Sequence, residues 1–121
     1  MARILIIDDE ESIRLLLDQA LTHDGHQVYT AENGKQGVRF TRQEDVDVIV
    51  TDIFMPEQEG VETIQGLRAI RPSIPIIAIS GGGRFQQHDL LHLAQALGAN
   101  AALKKPFSIA EIRDTVNRML Q

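Results

Sequence analysis

The stretch Arg3-Ile4-Leu5-Ile6-Ile7-Asp8-Asp9 decides the fold, because an apolar run leads directly into two carboxylates. A second apolar run, Val46 to Thr51, ends in the same way at Asp52. Short apolar runs of this kind are typical of strands that are covered on both faces, as in parallel sheets. Ligands of an open parallel sheet bind beside the carboxyl ends of its strands. The sequence therefore predicts that Asp8, Asp9 and Asp52 lie at the functional edge of such a sheet.

Three carboxylates at one edge of a sheet predict a bound cation. Two unit charges about 5 Å apart repel each other by roughly 3 kcal/mol at an effective dielectric constant near 20. The cluster is therefore unfavourable unless a positive charge lies within it. Hard oxygen ligands favour Mg²⁺, Mn²⁺ or Ca²⁺, and a site with few carboxylates and several waters suits Mg²⁺ best. The alternative is that Asp8 and Asp9 only cap the following helix, since aspartate is a favoured N-cap residue.

Length and composition indicate a single globular domain, which we place at residues 1–121. The chain has no cysteine, which excludes disulfides, thiolate metal sites and a cysteine nucleophile. The longest apolar runs are too short to cross a bilayer and the N-terminus lacks a signal-peptide pattern, so we expect a cytoplasmic protein without membrane association. The net charge is −5 and basic residues do not cluster along the sequence, which argues against direct nucleic-acid binding.

Strand and helix patterns alternate five times along the chain. Strands are predicted at 3–7, 27–31, 46–51, 76–79 and 101–104, and helices at 11–22, 34–43, 60–68, 86–97 and from 109 onwards. Asn33 is predicted to cap the second helix, and Ser108 with Glu111 has the spacing of a capping box before the last. Leu16 and Ile109 are expected to face the core. The alternation implies right-handed crossovers and hence a three-layer α/β sandwich.

Two further polar residues fall at strand ends, Ser80 after the fourth strand and Lys105, with Pro106 and Phe107, after the fifth. Four of the five strands thus deliver a polar side chain to the same edge. Together with the stretch Asp52-Ile53-Phe54-Met55-Pro56 and with Gly60, this ordered set resembles the receiver domain of response regulators in two-component signalling. The resemblance covers the whole chain. It implies a flavodoxin-like (βα)5 fold, with a parallel five-stranded sheet in the order 2-1-3-4-5.

The resemblance also implies a phosphoacceptor and a metal site. Asp52 is expected to take a phosphoryl group from a sensor histidine kinase or a histidine phosphotransfer protein. Mg²⁺, or Mn²⁺ in its place, is expected to bind Asp9 and Asp52 directly. Asp8 is expected to bind the cation through water or to assist its binding. The backbone carbonyl of Phe54 is expected to be a further ligand. Beyond its own phosphorylation and dephosphorylation, the chain is not expected to be an enzyme.

The output of a receiver is implied to be a change in partner binding. Lys105 and Ser80 are expected to contact the phosphoryl oxygens, and their movement to alter the affinity for a downstream protein or a covalently attached effector domain. Ala102 departs from the pattern, because many receivers carry Tyr or Phe there, and the aromatic switch is therefore absent. The run Gly81 to Gly83 is interpreted as a flexible loop or a phosphate cradle. A weak homodimer through the fourth and fifth helices is a further expectation.

Three other functions are weighed against the receiver. A metal-dependent phosphatase of the haloacid dehalogenase type needs a second aspartate two residues after Asp52, where Phe54 stands. A nucleotide-binding protein needs a glycine-rich loop after the first strand, where Asp8-Asp9-Glu10-Glu11 stands. An interaction module that acts without phosphorylation stays open because of Ala102.

The remaining charged side chains are interpreted as ordinary surface residues, among them His26, Arg68 and Arg71. His88 and His92 are four residues apart but lack the glutamate of the zinc-protease motif.

Overall fold

The computed structural model describes residues 1–53, 59–81 and 87–121, apart from the side chains of residues 59, 60, 87 and 88. In this part of the chain five strands alternate with five helices. They are β1 (Arg3–Ile7), α1 (Glu11–His23), β2 (Gln27–Ala31), α2 (Gly34–Gln43), β3 (Val48–Asp52), α3 (Glu59–Ile70), β4 (Ile76–Ser80), α4 (Gln87–Leu97), β5 (Ala101–Lys104) and α5 (Ile109–Met119). All neighbouring strands are parallel, in the order β2-β1-β3-β4-β5. The flavodoxin-like fold and its strand order are thereby confirmed.

The sheet separates two hydrophobic cores. Ile4 and Ile6 of β1 pack with residues of α1 and α5, whereas Leu5 and Ile7 pack with residues of α3 and α4. Successive side chains of a strand point to opposite faces, so a strand between two helical layers must be apolar at every position. This is why the run in β1 does not alternate with polar residues.

The predicted element boundaries hold within two residues, and the largest shifts are at the end of α3 and at the start of β3. This strand begins at Val48 rather than at Val46. Asp47 accepts a hydrogen bond from the Arg3 amide on its carboxylate, at 2.8 Å, and donates its own amide to the Arg3 carbonyl at 2.7 Å. The Asp47 carboxylate thus accepts from the Arg3 amide, which would donate to a backbone carbonyl if β3 began earlier. Asn33 caps α2, and Ser108 with Glu111 forms the predicted capping box of α5.

Two residues that we expected in the core are exposed. Leu16 is 38% exposed and Ile109 is 42% exposed. The buried stripe of α1 is Leu17, Ala20 and Leu21, and Leu16 lies at its edge. Ile109 opens α5, one turn before its first buried residue, Ile112. Helical spacing identifies the correct side of each helix but not how far the sheet extends beneath it.

Arg68 is not an ordinary surface charge, and this interpretation was wrong. Its Nε donates to the Gly98 carbonyl at 2.9 Å, and one Nη donates to Asn100 Oδ1 at 2.7 Å. The other Nη donates to carbonyls of the turn before β4, those of Arg71, Pro72 and Ile74.

Arg71 and His26 are also bound rather than free at the surface. Arg71 donates to the Thr41 carbonyl and to Asp45 Oδ1, at 3.3 and 3.0 Å. His26 Nδ1 accepts from the Ala2 amide at 3.2 Å. None of the helices in the described part of the chain is long and apolar enough to cross a membrane.

Candidate functional site

The register of the sheet brings Asp8 and Asp52 side by side. Ile7 of β1 is the register partner of Thr51 of β3, so Asp8, which follows β1, and Asp52, which ends β3, lie next to each other. The Asp8 amide donates to the Ala31 carbonyl at 3.2 Å, which extends the pairing of β1 with β2 by one bond. Asp8 is 0% exposed and Asp52 is 3% exposed. Both carboxylates are therefore held at the carboxyl edge of the sheet and out of bulk water.

Two more carboxylates join them from the exposed rim. Asp8, Asp9, Glu10 and Asp52 each offer a carboxylate oxygen, and these oxygens lie within 4.8 Å of one another. We call this group the acidic pocket. Glu10 was not predicted, although the acidic run in the sequence continues to Glu11. Glu11 is the first residue of α1 and is not a member of the group.

Lys105 supplies the positive charge that the acidic pocket requires. Its Nζ lies 3.0 Å from Asp8 Oδ2, 3.0 Å from Glu10 Oε1 and 3.0 Å from Asp52 Oδ2. The backbone places it there, because the Lys105 amide donates to the Ser80 carbonyl at 2.7 Å, one step past the pairing of β4 with β5. The ammonium side chain is 11% exposed, so its attraction to the buried carboxylates is little screened by solvent.

The electrostatics of this arrangement shift two pKa values. Burial raises the pKa of Asp8 and the Asp52 charge adds to the effect, while the hydrogen bond from the Glu10 amide and the positive charge of Lys105 oppose it. Burial lowers the pKa of Lys105, but hydrogen bonds and charge from Asp52, with the carboxylates of Glu10 and Asp8, outweigh it and raise the pKa overall. Lys105 therefore stays an ammonium ion at neutral pH.

A buried carboxylate oxygen of Asp8 indicates whether a cation fits the acidic pocket. Asp8 Oδ1 accepts from the Glu10 amide at 2.8 Å, but Oδ2 is buried and no donor in the described chain is aligned to hydrogen-bond it. Lys105 is near this oxygen only as an ion pair. A divalent cation among the carboxylates would satisfy it, and carboxylate oxygens are the hard ligands that Mg²⁺ takes alongside water. Helix capping does not account for Asp8 and Asp9, because α1 has its N-cap at Glu10 and lacks a side-chain cap.

The other predicted site residues have different outcomes. Ser80 is 3% exposed at the end of β4, and its hydroxyl donates to the Gly81 carbonyl at 3.3 Å. Ala102 is 6% exposed in β5, in the same core as Leu90 and Ala94 of α4. Several predictions fall outside the described residues: those for Phe54, Met55, Pro56, Gly82 and Gly83.

An apolar groove adjoins the acidic pocket. It has a volume of about 370 Å³ and its lining residues are Glu10, Ile13, Leu16, Lys105, Pro106 and Phe107. Glu10 and Lys105 thus belong to both features. The exposed Leu16 lies in this groove, which places an accessible apolar surface next to the buried carboxylates.

A second groove shows a clustering of positive charge that was not predicted, although the helical spacing of its cations in the sequence would have indicated it. It lies between α2 and α3, has a volume of about 380 Å³ and includes Lys35, Arg39 and Arg42 in its lining. The three cations lie on one side of α2, a helix whose first turn has no acidic residue.

A doubly wound parallel sheet with buried carboxylates facing a lysine at its carboxyl edge defines a class of signalling domain, the receivers of two-component systems. A sequence model of the response regulator receiver domain matches residues 4–117. Sporulation initiation phosphotransferase F of Bacillus subtilis is 33% identical over 118 residues, which cover 98% of this chain and 93% of that protein. The DNA-binding transcriptional regulator NtrC of Azospirillum brasilense is 36% identical, over 98% of this chain but only 24% of that protein.

A solved structure agrees with these sequence relatives. The chemotaxis protein CheY4 of Vibrio cholerae superimposes with a TM-score of 0.87 at 29% identity, over 99% of both chains. The chain therefore belongs to the response regulator receiver domain family, whose members are typically signalling domains rather than enzymes.

Proposed function

We propose that Asp52 accepts a phosphoryl group from a phosphohistidine of a sensor kinase or a histidine phosphotransfer protein, with Mg²⁺ in the acidic pocket. The observation that carries this proposal is the Lys105 ammonium, 3.0 Å from both buried carboxylates, Asp8 and Asp52. An ammonium held at a nucleophilic carboxylate is positioned to neutralise phosphoryl oxygens as they arrive.

The transfer makes and breaks one bond at phosphorus. A carboxylate oxygen of Asp52 forms a bond to phosphorus while the bond to the imidazole nitrogen breaks, and the imidazole keeps that electron pair and takes a proton from solvent. Lys105 then donates to a phosphoryl oxygen, and the Ser80 hydroxyl donates to another. Attack of water on the acyl phosphate later restores the Asp52 carboxylate and releases inorganic phosphate. Burial of Asp52 supports this chemistry, since an exposed carboxylate is a weaker nucleophile in water.

The acidic pocket is the proposed binding site of the cation. Asp9 and Asp52 would hold Mg²⁺ directly, Asp8 would do so through water or assist, and the Phe54 carbonyl would be a further ligand. When bound, the cation neutralises charge on the phosphoryl oxygens.

The groove beside the acidic pocket supports a protein as the phosphoryl donor. A phosphohistidine can reach Asp52 only if its protein covers the surrounding surface, and that surface includes Ile13, Leu16 and Phe107. Apolar side chains at such a point stabilise a docked partner by burial of their surface.

Phosphorylation is proposed to alter affinity for a downstream protein or an attached effector domain, and the domain is proposed to act in the cytoplasm. Phosphorylation replaces the carboxylate at Asp52 with a group that carries more negative charge and more acceptor oxygens. Ser80 is the described residue best placed to respond to the phosphoryl group. It is the last residue of β4, which lies beside β3, and the segment that follows it leads to α4.

A mass measurement tests the proposal. The protein is incubated with Mg²⁺ and phosphoramidate, and its intact mass is then determined. We expect one phosphate adduct, its loss in Asp52→Asn and in EDTA, and its retention in the matched control Asp114→Asn, a change at an exposed carboxylate of α5.

Three results would contradict the proposal. An equal adduct in Asp52→Asn would exclude Asp52 as the acceptor. Repeated turnover of an added phosphate ester would indicate a hydrolase. No adduct from any small donor or phosphohistidine protein would favour the interaction module that acts without phosphorylation.

A further inference from the structure

Glu10 contacts the ammonium of the acidic pocket, although neither the sequence prediction nor the proposed function gives it a role. Its Oε1 lies 3.0 Å from Lys105 Nζ, and the two residues are 95 positions apart in the chain. Its side chain is 56% exposed, whereas those of Asp8 and Asp52 are 0% and 5% exposed. Lys105 is thus held from the interior by two carboxylates and from the solvent side by a third.

The hydrogen bonds of Lys105 divide unequally among these carboxylates. Within the described chain its Nζ donates to Asp52 Oδ2 and to Glu10 Oε1, both at 3.0 Å, while Asp8 Oδ2 is close but not aligned. The ammonium is therefore shared between the predicted phosphoacceptor and a residue at the rim. An ammonium group has three N–H donors, and a donor engaged by Glu10 is not available to another acceptor.

We propose that Glu10 is a positioning residue for Lys105, a competing acceptor that holds the ammonium at the rim of the acidic pocket and slows its engagement with an incoming phosphoryl group. The inference rests on the proposed function. For the phosphoryl group to be stabilised on Asp52, Lys105 must exchange carboxylate oxygens for a phosphoryl oxygen. Glu10 opposes that exchange because its carboxylate competes for the N–H donors of Lys105. Phosphorylation of Asp52 does not remove this competing carboxylate.

The contact itself is tested in the unphosphorylated, metal-free protein. The exchange rate of the Lys105 ammonium protons with water is measured by nitrogen-detected NMR at neutral pH. In Glu10→Gln we expect exchange to become about two- to fivefold faster, the range for loss of a partly exposed ion pair. The matched control is Glu11→Gln, which removes a charge from the next residue, outside the acidic pocket, and we expect no change. An unchanged exchange rate in Glu10→Gln would overturn the proposal.

The consequence for phosphorylation is tested by the initial rate of adduct formation with acetyl phosphate at saturating Mg²⁺. We expect Glu10→Gln to be about two- to fivefold faster than the wild-type protein, because the competing acceptor is weakened. Glu11→Gln is expected to match the wild-type rate. A Glu10→Gln rate at or below the wild-type rate would overturn the proposal.

A third variant separates positioning from simple charge repulsion of the donor. Glu10→Asp keeps the charge but shortens the side chain, and at the N-cap position its carboxylate is drawn toward the amides of α1. Positioning predicts that Glu10→Asp resembles Glu10→Gln in both measurements. If Glu10→Asp instead keeps the wild-type rate, Glu10 acts by charge alone and the proposal is wrong. Failure of the wild-type protein to form any adduct would sink the proposed function, while the NMR measurement would still decide the contact.

Discussion

Asp8 shows how one residue can be costly for the fold and useful to the site. It is fully buried beside a second carboxylate, and burial raises its pKa. The folded protein therefore binds this proton more tightly than the unfolded chain does. The charged Asp8 reduces stability at any pH above its folded pKa, and the reduction vanishes below its ordinary value of 3.8, where both states are protonated.

Removal of this charge is expected to stabilise the metal-free protein. In EDTA at neutral pH, Asp8→Asn should raise the free energy of unfolding by about 1 kcal/mol, because it removes a buried charge that also repels Asp52. Lys105 keeps Asp52 and Glu10 as partners, and the asparagine oxygen can still accept from the Glu10 amide. Urea denaturation across a pH series measures the effect, which should disappear below the ordinary pKa of aspartate.

The same variant should lose the stabilisation that Mg²⁺ confers on the wild-type protein, since binding to the folded state adds RT ln(1 + [Mg²⁺]/Kd). Asp114→Asn serves as the control and should change neither quantity by more than about 0.5 kcal/mol. A lower stability of Asp8→Asn in EDTA would show that its ion pair, rather than its burial, dominates.

At the scale of the element, α2 packs against β1, the strand that leads into the acidic pocket. Gly37 faces Ile7, the last residue of β1, and a Cβ built on Gly37 would lie 2.7 Å from Ile7 Cγ1 and nearer still to Cδ1. Real Cβ atoms do not approach side chains so closely, so any side chain here displaces Ile7. Because Asp8 follows directly, the packing of α2 also supports the position of the site.

Gly37→Ala is therefore expected to lower the free energy of unfolding by about 1–2 kcal/mol. Overpacking of this kind costs about 1–3 kcal/mol, against a gain of up to about 1 kcal/mol in helix propensity. Gly66→Ala in α3 is the matched control, since its nearest contact would be Val38 Cγ2 at 3.2 Å, which a small shift relieves. Urea denaturation compares the two, and a Gly37→Ala protein as stable as Gly66→Ala would refute the argument.

At the scale of the whole molecule, Arg68 joins segments that are far apart in sequence. It connects the end of α3 to the turn before β4 and to Gly98 and Asn100 before β5. Asn100 Oδ1 in turn accepts from the Ile76 amide at 2.9 Å, so both strands that begin here depend on this contact. The planar guanidinium has donors for all of these acceptors at once, which an ammonium group does not.

Arg68→Lys should therefore lower the free energy of unfolding by about 2 kcal/mol, since each lost hydrogen bond to a charged group contributes about 1.5–3 kcal/mol and a lysine keeps some of them. Arg39→Lys is the control, because Arg39 is exposed and makes no hydrogen bond or ion pair with the described residues. Its effect should stay within about 0.5 kcal/mol in the same urea titration. Equal stability of the two variants would show that Arg68 is an ordinary surface charge.

The limits of prediction from sequence are clearest at Asp8, Asp9 and Glu10. As neighbours in an acidic run they look equivalent, yet the fold buries Asp8, exposes Asp9 and brings Glu10 to Lys105. Those differences depend on the direction in which each side chain leaves the end of β1, and no local pattern encodes that direction. The core positions of Leu16 and Ile109 were predicted wrongly for a related reason, since the width of the sheet under a helix is a property of the assembled layers.

By itself, the sequence determined the strands, the helices and the edge of the sheet to which Asp8, Asp52, Ser80 and Lys105 belong. This was possible because doubly covered strands must be apolar throughout, so a polar residue marks the point where each strand ends. Only the tertiary structure decided which of these groups touch. The distance of 3.0 Å from Lys105 to each of three carboxylates depends on register, burial and side-chain reach, which arise when the strands pack side by side.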